Sequence, residues 1–283
     1  MAEHDYIAVN KRNWDERAPE HAKSPDYAYK ALIAQPTLLS DVVTFDIPLL
    51  GSIENLAIVH LQCHIGTDTL SLARRGAKSV TGLDFSPASL AEARRLAAAT
   101  QGSGGEKLTF VEAPIYEALT VLPEGGFDLV FTGIGALCWI PSIARWAGVV
   151  HSLLKPGGRL FIREGHPVLW AMDERVTSAL QIGFPYFERE EPMLFDDGTT
   201  YVAVEEGKVF EASKAVEWNH GLGAIVQALL DVGMLVTGLV EHQSVPWEAL
   251  PGQMVKLENG EFELKEDKDR LPLTYTLQAV KKG

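Results

Sequence analysis

This sequence is poor in cysteine, in basic residues and in long apolar runs. Of its 283 residues only Cys63 and Cys138 are cysteines, too few for a disulfide framework or a cysteine zinc site, and we expect no metal. Its 25 Lys and Arg are outnumbered by 38 Asp and Glu, which gives a formal net charge of -13. Because such a surface repels phosphate backbones and no basic stripe offsets it, a nucleic-acid partner is not expected.

Membrane and export signals are missing as well. No apolar run approaches the roughly 18 residues that a membrane span needs, and the N-terminus has no apolar signal core. We therefore expect a cytoplasmic protein with no membrane partner. The chain has no internal repeat, and its hydrophobic fraction of 46% is sufficient for one enzyme-sized core.

What the sequence does contain is an alternation of apolar runs and helical stretches, which is typical of an α/β fold with an open, mainly parallel sheet. Between the last two runs lie Pro246, Pro251 and an Asn259-Gly260 turn, so we expect a loop and a hairpin there instead of a crossover helix. The final strand should then be antiparallel. Seven strands are predicted, at residues 57–63, 79–85, 108–113, 127–133, 158–164, 234–241 and 272–280.

The first two strands and the turn between them predict a pocket for an adenosine-bearing cofactor. A buried strand ends near Cys63, Gly66 permits a close turn, and the second strand ends at Asp84. A carboxylate at that spacing can accept hydrogen bonds from both hydroxyls of a ribose. Asp68 stands where a pyrophosphate would lie, which favours a cofactor with an adenosine and a positive centre over a dinucleotide. The alternative is an α/β crossover that binds nothing.

Several motifs resemble those of the class I S-adenosylmethionine-dependent methyltransferases, over residues 55 to 281. They are LQCHIGTDTL (61–70), VTGLDFSPASLAEARR (80–95), FDLVFTGIGALCWIP (127–141) and LLKPGGRLFIREGHP (153–167). In the first motif only Gly66 of the family's glycines remains, Gln62 replaces the acid, and His64 and Asp68 replace the flanking glycines. Together with EWNHGLG (217–223), the first motif is similar to a bacterial subgroup that acts on small molecules.

This resemblance implies a Rossmann-like, doubly wound fold, with a mainly parallel seven-stranded sheet whose last strand is antiparallel. It also implies S-adenosylmethionine as cofactor, S-adenosylhomocysteine as product and a small-molecule substrate as partner. Pro114 stands where the family has an acidic residue near the adenine, so backbone atoms of Ile115 are expected to recognise that base. The implied cofactor-binding residues are Leu61, Gln62, His64, Gly66, Asp84, Phe85, Ser86, Pro114, Ile115, Thr132, Gly133 and Ile134.

Two segments are expected outside the sheet, and we assign substrate selection to them. Residues 1–50 form an N-terminal helical arm, and residues 166–220 form a β-rich cap, with two strands around Asp197-Gly198. The methyltransferase core then comprises residues 51–165 and 221–283. The alternative for the arm is an amphipathic piece that packs its aromatics on the domain or contacts a second copy in a homodimer.

Candidate catalytic residues are His220, His166 and Glu164, which follow predicted elements at the edge where ligands bind. His220 follows Asn219, a candidate N-cap, and a helix N-terminus disfavours a cationic imidazole, which would leave a neutral base. The alternatives are that His220 only hydrogen-bonds a loop, that His166 before Pro167 forms a rigid turn, and that Glu164 is a buried acid holding a loop.

Four tryptophans are candidates to line an acceptor pocket, although each could equally belong to the core. The leading hypothesis is methyl transfer to a small molecule, and the alternative is a non-catalytic S-adenosylmethionine-binding or interaction protein. A nicotinamide-dependent oxidoreductase is disfavoured because a second turn glycine and a Tyr-x-x-x-Lys pair are missing. The tryptophans are Trp14, Trp139, Trp218 and Trp247.

Overall fold

A computed structural model describes residues 3–283, with side chains from Asp5 onward, so residues 1 and 2 of the predicted arm lie outside the described residues. The strands, in chain order, are β1 Ala57–Leu61, β2 Ser79–Asp84, β3 Leu108–Glu112, β4 Phe127–Thr132, β5 Leu154–Gly165, β6 Met193–Asp196, β7 Lys214–Glu217, β8 Met234–His242, β9 Ser244–Val245, β10 Met254–Lys256, β11 Phe262–Leu264 and β12 Thr274–Lys281.

Helices surround these strands, and none in the described part of the chain combines the length and the apolar character needed to cross a membrane. They are α1 Glu3–His21, α2 Tyr29–Ala34, α3 Asp41–Leu50, α4 Thr67–Arg74, α5 Pro87–Ala99, α6 Ala118–Val121, α7 Ile143–Leu153, α8 Pro167–Trp170 and α9 Leu222–Asp231.

One seven-stranded sheet organises the molecule, with the strand order β3-β2-β1-β4-β5-β12-β8. Neighbouring strands from β3 to β5 are parallel, and β12 is antiparallel to both β5 and β8. This confirms the predicted Rossmann-like fold, with each of the seven strands at its expected place. The last strand is reversed because a short three-stranded sheet, β10-β11-β9, replaces the crossover helix that a parallel connection requires.

Both faces of the central strands are buried, as their continuous apolar sequence predicts. Val59 and Leu61 of β1 belong to a core shared with Trp146 of α7. Ile58, which points the other way, packs in a second core with Val43 of α3. These two layers fix the sheet and leave its carboxyl edge as the place where polar side chains gather.

The predicted hairpin around Asp197-Gly198 is wrong. β6 does end at Asp196, but it pairs with β7, which begins only at Lys214. The carboxylate of Asp197 accepts the backbone N–H of Thr199, so the chain turns away into a long loop at this point. By contrast, the Asn259-Gly260 turn does join two antiparallel strands, β10 and β11.

Candidate active site

We use the name first cleft for the switch point at the carboxyl edge between β1 and β4, which are neighbours in the sheet but not in the chain. Such a switch point is where ligands bind in open α/β sheets. The turn after β1 holds Gln62 and His64 in the left-handed region, with φ of 55° and 49°. This conformation is unfavourable for residues other than glycine, and the turn is held by a hydrogen bond from the His64 N–H to Asp84 and by one from the Gln62 side chain to Ala136.

Gly66, the one glycine that the turn retains, is required for helix packing. It begins α4 with φ of 80°, and a Cβ atom added there would lie 2.9 Å from the Cβ of Ala93 in α5. The glycine therefore allows α4 and α5 to approach each other. This contact explains why the turn keeps Gly66 while its neighbours are larger residues.

Asp84 ends β2 and holds two loops together. Its two carboxylate oxygens accept the backbone N–H groups of His64 and Ser86, each at 2.9 Å. Burial raises the pKa of Asp84 to about 6 in spite of these bonds. A carboxylate has about four lone-pair positions, so Asp84 keeps the capacity to accept a hydrogen bond from a hydroxyl laid over the strand ends.

Two buried oxygens at the switch point have no hydrogen-bond partner within residues 3–283. They are Oε1 of Gln62, directly after β1, and Oγ1 of Thr132, at the end of β4. The Gln62 amide nitrogen is engaged, since it donates to the carbonyl of Ala136 at 2.8 Å. A buried polar atom without a partner is costly, so these oxygens mark a place where a ligand's donor groups would be stabilised.

Helix α1 lies over this turn. The indole of Trp14 contacts the imidazole of His64 edge to face, with ring centroids 4.9 Å apart. Asp15 accepts hydrogen bonds from the Ser86 hydroxyl and from the N–H of Ala88 at the start of α5. The cleft is therefore roofed by side chains of the N-terminal arm.

His64 connects the turn to that roof. Its Nδ1 lies 3.0 Å from the Ser89 hydroxyl, and its Nε2 lies 2.9 Å from Nδ1 of His21. Burial lowers the pKa of His21 to about 3 and that of His64 well below its ordinary value, so both rings are neutral near pH 7. His21 also contacts Thr200 of the insertion, which brings turn, arm and insertion together.

The arm and the insertion form one roof, held by side chains of α1 on backbone groups of the insertion. Asn10 makes a two-point contact with the N–H and carbonyl of Val216 in β7, both at 2.8 Å. Arg17 donates to the carbonyls of Asp197, Thr199 and Ala212. We call this unit, α1 with residues 166–220, the roof.

Glu164, at the end of β5, holds the loop after β4. Its carboxylate accepts four backbone N–H groups, those of Gly135, Ala136, Leu137 and Gly165, at 2.6 to 2.9 Å. Burial nevertheless raises the pKa of Glu164 above its ordinary value. With every oxygen engaged, the carboxylate acts on the loop and offers no free lone pair of good geometry to a substrate.

His220 holds the same loop from its carbonyl side. Its Nε2 lies 3.0 and 2.8 Å from the carbonyl oxygens of Leu137 and Ile140, and its Nδ1 lies 2.6 Å from a carboxylate oxygen of Glu188. Burial raises the pKa of Glu188, but the hydrogen bonds from His220 and from the N–H of Ile143, with the charge interaction of His220, together leave the pKa below its ordinary value. The ring thus bridges the carbonyl groups of the loop after β4 and the carboxylate of Glu188, and we call this arrangement the loop clamp.

The predicted N-cap at Asn219 is wrong, because α9 begins after Gly221. Asn219 instead donates to the carbonyls of Pro167 and Pro185. His220 therefore lies outside the first turn of the helix, and its neighbour there is the carboxylate of Glu188.

His166 caps the short helix α8. Its Nδ1 accepts the N–H of Val168 at 3.1 Å, so the ring proton is on Nε2, which lies 3.0 Å from a carboxylate oxygen of Glu241 without being aligned for a hydrogen bond. Burial lowers the pKa of His166, although Glu241 opposes the shift. The three predicted catalytic side chains thus lie at one edge of the sheet, and each is engaged in holding backbone.

The four tryptophans do not line one pocket. Trp14 and Trp139 pack edge to face over the turn after β1, with centroids 5.1 Å apart. Trp247 stacks on Trp170, away from the cleft and beside the three-stranded sheet. Trp218 is buried and packs against Tyr6 of α1. Of the four, Trp218 is the one that lies beside Glu164 and His220.

A second cleft, which we call the strand-end crevice, lies between the loop after β4 and the insertion. Its volume is about 10 Å³, roughly the room that one water needs, and its walls include Glu164, Trp218, His220 and Tyr275. Sequence reasoning missed Tyr275, because it lies in an apolar strand and nothing in the pattern sets it apart. It also missed Asn10, whose partner lies 206 residues away in the chain.

The remaining predicted cofactor residues lie around the first cleft. The Leu61 side chain is buried in the core, so only its backbone faces the turn. Phe85 follows Asp84, Pro114 and Ile115 follow β3, and Gly133 and Ile134 follow β4. Ile134 packs towards the core beside the three-stranded sheet. Within residues 3–283, no three His, Cys, Asp or Glu side chains come together as a metal site requires.

Residues 58–158 match the profile of the family described as "Methyltransferase domain". A Listeria monocytogenes structure, described as a candidate S-adenosylmethionine-dependent methyltransferase, is 18% identical and aligns over 86% of this chain and 97% of its own, with a TM-score of 0.61. An S-adenosylmethionine-dependent methyltransferase from Mesorhizobium loti is 23% identical and aligns over 82% of this chain and 94% of its own, with a TM-score of 0.53. Another from Methanosarcina mazei is 18% identical and aligns over 83% of this chain and 98% of its own, with a TM-score of 0.54.

No curated protein matches the chain. The structural likenesses, each under 25% identical, establish the fold, and the profile match covers the part of the chain from β1 to the turn within β5. Residues 58–158 are thus similar to a methyltransferase domain, and the chain has the fold of the S-adenosylmethionine-dependent methyltransferases with which it aligns.

Proposed function

We propose that this chain transfers a methyl group from S-adenosylmethionine to a small-molecule acceptor. The observation that carries the proposal is the pair of unpartnered oxygens, Gln62 Oε1 and Thr132 Oγ1, at the switch point beside Asp84. The ammonium group of the cofactor carries three N–H donors, which suits two acceptor oxygens, and its ribose carries two hydroxyls, which suits the free lone pairs of Asp84.

When bound, the cofactor would supply a methyl carbon on a positively charged sulfur, which would leave as S-adenosylhomocysteine with the electron pair of the broken bond when a lone pair of the acceptor takes the methyl group. The chain's own residues align the partners and exclude water. Glu164 and His220 fix the loop after β4 from its N–H side and its carbonyl side. We therefore assign Glu164 and His220 the role of positioning this loop.

The hydrogen bonds of the three candidate bases limit the kind of acceptor that this chain can methylate. Glu164, His220 and His166 each use their accepting atoms or ring protons on backbone or on a carboxylate. We therefore propose an acceptor whose attacking atom has a lone pair available without removal of a proton by this chain, the proton on the product being lost to water. The arm and the insertion, as one roof, would keep water away during transfer.

The test is calorimetric titration of S-adenosylhomocysteine into the wild type and into Asp84→Asn. This substitution keeps the shape and one accepting oxygen but removes the charge, so the affinity should fall by about 1.5 to 3 kcal/mol, the value of a hydrogen bond to a charged group. Asp128→Asn is the matched control, because Asp128 also accepts a backbone N–H, that of Ala57, but lies at the opposite edge of the sheet. Its affinity should be unchanged.

Equal loss of affinity in both variants would mean that the effect is general destabilisation. A folded wild type without affinity for S-adenosylhomocysteine or S-adenosylmethionine would contradict the proposed function altogether. Binding without methyl transfer to any compound of a metabolite pool, followed with labelled cofactor, would instead favour a non-catalytic binding protein.

A further inference from the structure

A group of charged side chains lies beside the first cleft. It consists of Asp46 of α3, Asp68 of α4, Arg163 of β5 and Glu261, the residue before β11. Burial raises the pKa of Asp46 to about 8, and the charges of the other three residues act on it as well. Asp46, Arg163 and Glu261 are at most 2% exposed, whereas Asp68 is partly exposed. The group is therefore accessible to a ligand through Asp68.

This group contains three carboxyl groups but only one cation. The guanidinium of Arg163 donates to both carboxylate oxygens of Glu261, at 3.2 and 2.6 Å, so its charge is balanced there. Neither oxygen of Asp46 has a partner, and within residues 3–283 no Lys or Arg forms an ion pair with Asp68. Buried carboxylates without a countercharge are costly. Even with a proton on Asp46, the group lacks one positive charge.

Asp68 brings this unbalanced charge to the end of β4. A Cβ atom added to Gly133, the residue after β4, would lie 3.4 Å from Oδ2 of Asp68 and 3.5 Å from Nε2 of His60. Burial lowers the pKa of His60 to about 3, so its ring is neutral and cannot balance the carboxylate. Burial raises the pKa of Asp68 to about 6, and hydrogen bonding to Ser40 opposes this shift. Near pH 7 the carboxylate is therefore mainly ionised.

The uncharged atoms at the same strand end call for a hydrogen-bond donor. Oγ1 of Thr132, a fully buried residue directly before Gly133, has no partner, and neither has Oε1 of Gln62 in the turn after β1. A metal ion is disfavoured, because no three acidic, His or Cys side chains of the described chain come together around one point. A primary ammonium group has a positive charge and three N–H donors, and it suits both the oxygens and Asp68.

Resting on the proposed function, we propose that Asp68 recognises the ammonium group at the amino-acid end of the cofactor. This ammonium lies at the end of β4 and supplies the positive charge that the charged group lacks. Gln62, which replaces the acid of the related sequences, offers an oxygen without charge. The countercharge comes from α4 instead, where Asp68 replaces a glycine of the same motif. Asp68 is thus the specificity-determining residue for this end of the cofactor.

Two ligands that differ only in the ammonium group test the proposal. They are S-adenosylhomocysteine and deamino-S-adenosylhomocysteine, which has a hydrogen atom in place of the amino group and keeps the carboxylate. Calorimetric titration at neutral pH should show that the wild type prefers S-adenosylhomocysteine by about tenfold to hundredfold, the range of one hydrogen bond to a charged group. Asp68→Asn should lose most of this preference. It should bind the deamino ligand at least as tightly as the wild type, because the amide does not repel the ligand's carboxylate.

Gly133→Ala is a second test variant, and it leaves every charge in place. Its methyl group would lie at van der Waals distance from Asp68, so the chain should fold, but the methyl group takes the space beside the carboxylate. The preference should fall here too. Asp41→Asn is the matched control, because this exposed carboxylate also acts on Asp68, and its removal should leave the preference unchanged. Asp84→Asn should weaken both ligands equally, because both contain the ribose.

Three results would overturn the inference while the binding of S-adenosylhomocysteine and its loss in Asp84→Asn leave the proposed function intact. One is equal affinity of the wild type for the two ligands. Another is an unchanged preference in both Asp68→Asn and Gly133→Ala, which would leave the ammonium to Gln62 and Thr132. The third is equal weakening of both ligands by Asp68→Asn, which would make Asp68 a structural residue. Failure of the wild type to bind S-adenosylhomocysteine at all would refute the proposed function, and the inference with it.

Discussion

Replacing Asp46 should stabilise this protein, and the effect should depend on pH. Asp46 lies on α3, is 1% exposed, and neither carboxylate oxygen has a partner in the described structure. Burial raises its pKa from 3.8 to about 8, assisted by the nearby charges of Asp68 and Glu261 and opposed by Arg163. Near pH 7 the folded protein must therefore keep a proton on Asp46 that the unfolded chain releases.

Keeping this proton lowers the free energy of unfolding, and the size of this penalty follows from proton linkage. A folded pKa above the unfolded one favours folding of the protonated form, so the penalty is absent below pH 4, grows as pH rises and becomes constant above pH 8. The interval between 3.8 and pH 7 corresponds to about 4 kcal/mol at about 1.36 kcal/mol per unit. Asp46→Asn has the shape of the protonated acid and needs no proton. It should raise the free energy of unfolding by up to about 4 kcal/mol at pH 7 and change it little at pH 4.

Urea unfolding of wild type and Asp46→Asn at a series of pH values measures this directly. Asp41→Asn, on the exposed side of the same helix, is the control and should show no such growing difference. A difference between wild type and Asp46→Asn that stays constant from pH 4 to pH 8 would refute the reasoning, because it would show that protonation of this group is not coupled to folding.

Two further predictions concern the roof and the loop clamp. Asn10→Ala removes the two-point contact with Val216, so both association and dissociation of S-adenosylhomocysteine should accelerate severalfold in stopped-flow measurements; Arg12→Ala, whose bond stays within α1, should change neither. Unchanged rates for Asn10→Ala would show that the roof does not limit exchange. His220→Asn and Glu188→Gln should each lower the free energy of unfolding by about 1.5 to 3 kcal/mol. Because the pKa of Glu188 is lowered, its contribution is present above the ordinary Glu value and lost as pH falls below it. A His220→Asn variant with full stability but no turnover would argue for a base in place of a clamp.

The sheet could be predicted from the sequence because its signals are local. A buried parallel strand needs a continuous apolar run, as in β1, and a close turn needs a residue such as Gly66. The reversed final strand could also be predicted from the sequence, since the Asn259-Gly260 turn rules out a crossover helix. Each of these signals lies within a few residues of the structure that it specifies.

The contacts that shape the site are of a different kind. Asn10 and Val216 are 206 positions apart, and the partner is a backbone group, which leaves no trace in the identity of residue 216. His220 could be recognised as a polar residue near a helix start, but its role depends on Glu188, 32 positions earlier in an irregular loop. Periodicity reports which face of an element is buried, and it carries no information about such pairings.

One rigid helix couples the two clefts of the site. Tyr6 and Trp14 are eight residues apart in α1, about 12 Å along the helix axis, and both precede Pro19, where a bend would occur. Tyr6 contacts Trp218 of the strand-end crevice, and Trp14 contacts His64 of the turn after β1. A stiff element of this length cannot leave one contact and keep the other without tilting against β7, where Asn10 holds it midway. We therefore expect the two clefts to open together, at the rate at which S-adenosylhomocysteine exchanges.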